Sequence, residues 1–414
     1  VNHSPENVSR LGRMGRAEFI AMIAMLMALN ALAIDIMLPG LQQIGATLGV
    51  ENENHRQYIV SAYLIGFGLA QLVYGPLADR FGRRIPLLAG LSIYIIAAIF
   101  GAFIPSFTAL LVLRFIQGLG AASMRVVTVS IVRDIYGGRQ MAEAMSLIMM
   151  VFMIVPVIAP GIGQTILLFA DWHTIFVFMA VAGLGIAAWT HLRLPETLSP
   201  SDVRPFTIRS IATGFKIVLT DRIALNYTLA STFIFGALFG FINSAQQIYT
   251  QVYDLGKLMP IAFGSVALFM SFSSFVNARM VGRVGMRRLS HGALVAFLAI
   301  NFVWLMIEIL GPRPMPFPLF ICLFAISMFM FGWIGANFNS LAMEPLGHVA
   351  GTASSVLGFL STVGGASIGA LIGQAFDGTA LPLIAGFFVV SLIGFVFVMI
   401  AEKGKLFQPH NQRH

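Results

Sequence analysis

Runs of about 20 apolar residues recur along this chain, separated by short polar stretches, and the alternating segments of a membrane β-barrel are absent. Twelve such runs are legible, at 17–39, 57–78, 85–104, 106–131, 142–168, 172–192, 222–248, 259–280, 288–310, 317–343, 350–374 and 380–401. An α-helix rising about 1.5 Å per residue crosses a hydrocarbon layer of about 30 Å in about 20 residues. The pattern therefore predicts an all-α membrane protein with twelve transmembrane helices. An even count places both termini on one side.

The polar stretches are unequal. The longest, from Arg193 to Arg222, carries Pro195, Pro200 and Pro205 and divides the spans six and six. It predicts an N-terminal six-helix bundle over 1–192, a linker over 193–221, a C-terminal bundle over 222–402 and a tail over 403–414. The halves echo each other: Arg80-Phe81-Gly82-Arg83-Arg84 after the second span has a counterpart in Arg283-Val284-Gly285-Met286-Arg287-Arg288 after the eighth. Two parallel six-span repeats, related by a pseudo-two-fold axis, place a substrate site between them near the midplane, with access alternating from side to side.

Charge orients this frame. Connections after odd-numbered spans hold Arg56, Lys257 and Arg313; connections after even-numbered spans and the tails hold twenty Arg and Lys, among them Arg10, Arg13, Arg16, Arg80, Arg83, Arg84, Arg204, Arg287 and Arg413. By the positive-inside rule both termini are cytoplasmic, as expected of a multi-pass protein of a bacterial inner membrane. The net charge of +8 is confined to these loops, so it speaks of topology and membrane lipid rather than of nucleic acid.

Composition agrees with the spans: 58% of residues are hydrophobic, 10% are charged and the mean hydropathy is +0.87. The single cysteine, Cys322, excludes an intrachain disulfide. The first run is too long for a signal-peptide core and lacks a small-residue cleavage site, so it is expected to be retained.

Polar residues inside spans are costly and mark function. Asp35 lies among Ile34, Ile36, Met37 and Leu38, the only acid expected deep in any span, and is the candidate proton carrier. Arg114, well inside the fourth span, needs a counter-charge or several carbonyls. Asp35 offers the first; Gln117 with backbone carbonyls offers the second. Arg125, three turns on along the same face, is either a gate residue or an arginine that snorkels to the headgroups. Substrate-pocket candidates are Asn30, Tyr63, Gln117, Asn243, Gln246, Tyr249 and Asn337, each as apt to bind helices together as to touch a ligand. Met149, Met150 and Met153, with several phenylalanines, offer a pliable apolar wall.

Three motifs carry a family resemblance. Gly75-Pro76-Leu77-Ala78-Asp79-Arg80-Phe81-Gly82-Arg83-Arg84-Ile85-Pro86-Leu87 resembles, at every constrained position, the loop signature of the major facilitator superfamily. Leu110, Arg114, Gln117, Gly118, Gly120, Ala121 and Ala122 look like its fourth-span motif. Pro156, Pro160 and Gly163 look like its fifth-span antiporter motif, with Val155, Ala159 and Gln164 in place of glycines. Together with Asp35-Ile36-Met37-Leu38-Pro39 and Leu194-Pro195-Glu196-Thr197-Leu198, the chain is similar to the twelve-span drug:proton antiporters, and among them to the bicyclomycin and chloramphenicol resistance (Bcr/CflA-like) subfamily.

That resemblance implies the major facilitator fold and a proton-coupled multidrug exporter. Asp35 would carry the proton and Arg114 would couple to it. Gly75, Asp79, Arg80, Gly82, Arg83 and Arg84 would form a gating loop that engages the second half near Gly351 and Thr352. The partners would be protons, membrane lipid and a hydrophobic or amphiphilic small molecule, and a monomer suffices. The driving force would be the proton gradient, with no cofactor and no metal. The alternative is proton-coupled transport of a sugar, organic acid, peptide or other metabolite. An enzyme is not expected: no zinc-protease or phosphate-loop motif occurs, and His55, His173, His291 and His348 are scattered. A channel would need charged rings or a carbonyl filter.

Overall fold

The computed structural model describes residues 14–136, 138–200, 203 and 208–408. Arg10, Arg13, Arg204, Arg413 and the tail beyond residue 408 lie outside the described residues. Those described are helical with no β-strand, and twelve of their helices are long and apolar enough to cross a membrane. The chain falls into two compact units, Val1–Ala212 and Thr213–His414.

In the first unit, helix α1 (Arg16–Asp35) stops short of the end of its apolar run. A 3-10 turn at Leu38–Gly40 follows, then α2 (Leu41–Thr47). Pro39 explains the break. It stands four residues after Asp35, has no N–H to offer the Asp35 carbonyl, and its ring crowds that position. Then come α3 (Tyr58–Phe81), α4 (Arg84–Gly101), α5 (Phe107–Ile135), α6 (Gly138–Phe169) and α7 (His173–Arg193).

Small residues set the spacing of α3, α4 and α5. A β-carbon on Gly66 would strike the Phe115 carbonyl, one on Gly118 the Tyr63 carbonyl, and Gly90 and Gly120 face each other in the same way. In lipid, where apolar surface has little drive to leave its surroundings, close backbone approach supplies the packing energy.

The expected linker holds a helix, α8 (Ile208–Thr220), within which the two units divide. Its apolar residues Ile208, Ile211, Phe215 and Val218 recur at helical spacing. Val218 is buried, and the Phe215 ring packs edge-on against Phe359. The second unit continues with α9 (Arg222–Gln247), α10 (Met259–Val284), α11 (Met286–Leu310), α12 (Phe317–Met343), α13 (Ala350–Phe359), α14 (Gly365–Gln374) and α15 (Leu381–Ala401). A π-turn, Leu360–Gly364, joins α13 to α14 within one span. Trp304 and Phe324 touch each other, and each touches both Phe320 and Phe387, making an aromatic core.

The repeat seen in sequence has a physical counterpart. Gly82 ends α3 at φ 86° and Gly285 ends α10 at φ 90°, the left-handed region that glycine enters without strain. Just beyond each, a buried arginine is held by two carboxylates. Arg83 meets Asp79 at 2.5 Å and Asp134 at 2.7 Å; Arg287 meets Glu344 at 2.7 Å and Glu402 at 3.0 Å.

Candidate functional site

Asp35 occupies the last turn of α1, at the break that Pro39 imposes, and is 4% exposed. Its carboxylate has no hydrogen-bond or ion-pair partner among the described residues. An acid held inside a bundle without a partner has its charge state open to change, which a structural ion pair would not.

The expected pairing of Asp35 with Arg114 is absent. Arg114, fully buried on α5, donates to the Ile59 carbonyl at 3.2 Å, to Gln117 Oε1 at 2.7 Å and to the Ala33 carbonyl at 2.8 Å. Its guanidinium also lies over the Tyr63 ring, 4.5 Å from the centroid. Of the two arrangements open in sequence, the one built on Gln117 and carbonyls is therefore formed. The planar fork suits three acceptors at once, so Arg114 is satisfied without a carboxylate. It grips α1 at Ala33, two residues before Asp35.

Tyr63 extends this web, donating to Asn30 Oδ1 at 2.8 Å. Asn30, Tyr63, Gln117 and Arg114 thus come together and tie α1, α3 and α5 around the segment that carries Asp35. Gln117 also reaches the Met179 sulfur at 3.9 Å.

The fifth-span motif lies against the same segment. Pro156 and Pro160 stand inside α6, and Gly163 abuts the Ile36 carbonyl, immediately after Asp35. Ala28 and Ala31 of α1 pack on Val155 and Ala159 of α6. Two of the departures from the glycine pattern, Val155 and Ala159, therefore face this seam, and only Ala159 is small enough to keep it narrow.

In the loop after α3, Asp79 pairs with Arg83, and the Glu196 carboxylate accepts from the backbone N–H of Arg83 at 2.8 Å and of Arg84 at 3.1 Å. Arg84 also donates to the His191 carbonyl. Burial alone would lower the Arg83 pKa, but the Asp134 and Asp79 carboxylates raise it above its ordinary value. Gly82 leaves room for Glu196, whose carboxylate occupies the place of a β-carbon. Gly75 and Arg80 lie in the last turns of α3.

In the second unit, Gln246 donates to Thr250 Oγ1 at 3.0 Å, and Asn337 to Asn277 Oδ1 at 2.8 Å, a clasp between α12 and α10. Tyr249 is buried against Phe241 and Phe317, and Asn243 is buried on α9.

Several groups were not legible in sequence as site residues. Asp134 and Glu196 stood beside recognised motifs without a partner to assign them. Glu308 is a second buried acid, at the end of a span rather than deep in it. It lies in the last turn of α11, is 1% exposed and leaves Oε2 without a partner. Its signal was weak because it stands two residues from the end of its run. Burial and then the nearby Glu308 charge push the Tyr253 hydroxyl up. Arg125, exposed on α5, lines a cavity of 80 Å³ in the first unit together with Met27, Asn30, Met149 and Phe152. No group of three or more His, Cys, Asp or Glu able to hold a metal occurs among the described residues.

Residues 19–370 match the sequence model of the Major Facilitator Superfamily. The uncharacterised MFS-type transporter YdgK of Bacillus subtilis (strain 168) is 33% identical over 396 residues, 95% of this chain and 96% of that one. A bicyclomycin resistance protein homolog of Haemophilus influenzae is 30% identical over 395 residues, covering 92% and 96%. Among solved structures, the human organic anion transporter MFSD10 (TETRAN) superposes with a TM-score of 0.70 at 17% identity, over 94% of this chain and all of the other. That likeness speaks to the fold alone.

Proposed function

The chain belongs to the major facilitator superfamily and is a multi-pass membrane transporter, and on that premise we propose that it is a proton-coupled exporter of hydrophobic or amphiphilic small molecules. The observation that carries this reading is the state of Asp35: buried, unpaired, and placed where α1 breaks. Likeness to a bicyclomycin resistance homolog supports drugs as the cargo and export as the direction.

In the proposed cycle, two six-helix bundles alternate access, with both termini cytoplasmic. Asp35 takes a proton from outside and gives it up inside. Its negative form is costly in the bundle, so protonation and substrate occupancy favour different conformations. Arg114 is the coupling partner through the backbone. Its hold on the Ala33 carbonyl makes the position of Asp35 depend on α5, while Gly163 lets α6 follow the broken segment. Asp79, Arg83 and Arg84 act as the gating loop, with Gly75, Arg80 and Gly82 shaping it.

The deciding experiment is transport in inverted membrane vesicles under an imposed pH gradient, with chloramphenicol and a panel of amphiphiles, comparing wild type with Asp35→Asn. Gradient-dependent accumulation by the wild type and its loss in the variant are expected. An Asp35→Asn protein that still concentrates substrate would remove Asp35 as the carrier. Gradient-driven depletion of the vesicles by the wild type would point instead to proton-coupled uptake.

A further inference from the structure

Arg125 is a second arginine inside the fourth span, and the proton cycle makes no use of it. Its guanidinium has no hydrogen-bond or ion-pair partner among the described residues, in contrast to Arg114 eleven residues earlier, whose donors are met. It opens on the 80 Å³ cavity between α1, α5 and α6.

The other polar wall of that cavity is Asn30, 5% exposed. The Tyr63 hydroxyl donates to Asn30 Oδ1, which turns the carboxamide so that its NH₂ is left to donate elsewhere. Met27, Met149 and Phe152 complete the lining, and none carries an acceptor stronger than a thioether. The polar groups of the cavity are therefore donors, one of them a permanent cation. Asp35 lies five residues beyond Asn30 on α1, about 7.5 Å along the axis.

Arg125 is exposed, yet it stands within an apolar span without a counter-charge; that placement is costly, and the partner that offsets the cost is an anion able to accept from its fork. We propose that Arg125 and Asn30, walled by Met27, Met149 and Phe152, form a subsite for the anionic head of an amphiphilic substrate, a carboxylate, phosphate or sulfonate on an apolar body. This rests on the export reading for its place in the cycle and refines the substrate class. Methionine and phenylalanine adapt to bodies of different shape, so the selected feature is the head-group charge. A monovalent anion leaving against one entering proton moves two charges per cycle, so the membrane potential drives its export more strongly than that of a neutral drug.

The test uses three probes that share one body: 4-phenylbutyrate, 4-phenylbutyramide and 4-phenylbutylamine. Binding to the purified full-length protein in detergent, with no gradient, is measured for wild type, Arg125→Gln, Arg125→Lys and Asn30→Asp, each first checked for monodispersity and cooperative melting. The wild type is expected to bind the carboxylate at least about tenfold more tightly than the amide. Arg125→Gln should erase that preference with little change for the amide, Arg125→Lys should keep part of it, and Asn30→Asp should shift preference toward the amine. Undetectable carboxylate binding, equal affinity for carboxylate and amide, or a preference that survives in folded Arg125→Gln overturns the proposal. If the glutamine variant does not fold, the lysine and aspartate variants decide by the same criterion. Because binding is read without a gradient, Arg125-dependent anion binding without proton-driven transport would sink the export reading and leave the subsite standing. Proton-driven transport without anion preference would do the reverse.

Discussion

Gly163 of α6 and Ile36, the residue after Asp35, meet with the Ile36 carbonyl where a side chain on Gly163 would begin. Two features that are 127 positions apart, a glycine in the antiporter-like motif and the acid-bearing break, are one packing unit. Gly163→Val should force α6 away from the break, destabilising the protein by about 1–3 kcal/mol, as overpacking does. It should also abolish gradient-driven transport. Gly161, two residues earlier, has open space where its β-carbon would go. Gly161→Ala is expected to keep transport and to hold or raise the melting temperature, since alanine stiffens the unfolded chain. Equal effects of the two changes on melting would contradict the packing argument.

Arg114 serves three acceptors with one planar group, a geometry that a lysine ammonium cannot reproduce. Arg114→Lys retains the charge yet should lose at least one of the contacts to Ile59, Gln117 and Ala33. A cost of about 1.5–3 kcal/mol per charge-assisted bond is expected, read as a lower melting temperature in detergent. Wild-type melting in that variant would show that charge, not geometry, is what the site requires.

Gly82 and Gly285 hold corresponding left-handed positions, but their surroundings differ. A β-carbon at Gly285 meets nothing, so Gly285→Ala carries only backbone strain, about 1–3 kcal/mol. At Gly82 the same atom would also displace the Glu196 carboxylate from the N–H groups of Arg83 and Arg84. Gly82→Ala should therefore lower the melting temperature more than Gly285→Ala. The reverse order would show that Glu196 is not held as described.

Glu402, just past α15, accepts from Arg287 at 3.0 Å and from Tyr227 at 2.7 Å. Burial on its own would raise its pKa, but those two hydrogen bonds hold the carboxyl below the ordinary value of 4.5. A depressed pKa means that the folded state favours the charged form. Its stabilisation is thus complete above pH 4.5 and is lost as pH falls below that value through the folded pKa. The difference in melting temperature between wild type and Glu402→Gln should be largest at neutral pH and should shrink on acidification in that window. A difference that does not vary with pH would mean that the ion pair contributes nothing.

The amino-acid sequence by itself determined the span count, the all-α class, the family resemblance and the presence of an acid, Asp35, inside the first span, because each depends on local hydropathy or on contiguous motifs. It also showed the repeated Gly-Arg loops, since a turn that needs glycine leaves its mark at one position. Tertiary structure decided what each polar group is bound to. Arg114 and Asp35 are the two charges that a linear reading would pair, yet acceptors on α1, α3 and α5, all distant in sequence, satisfy Arg114 and leave Asp35 alone. Burial of Glu308 and the meeting of Arg125 with Asn30, two methionines and a phenylalanine at one cavity were hidden for the same reason. In a nearly uniform apolar sequence, periodicity says which segments enter the membrane but carries almost no record of which helix each face will meet.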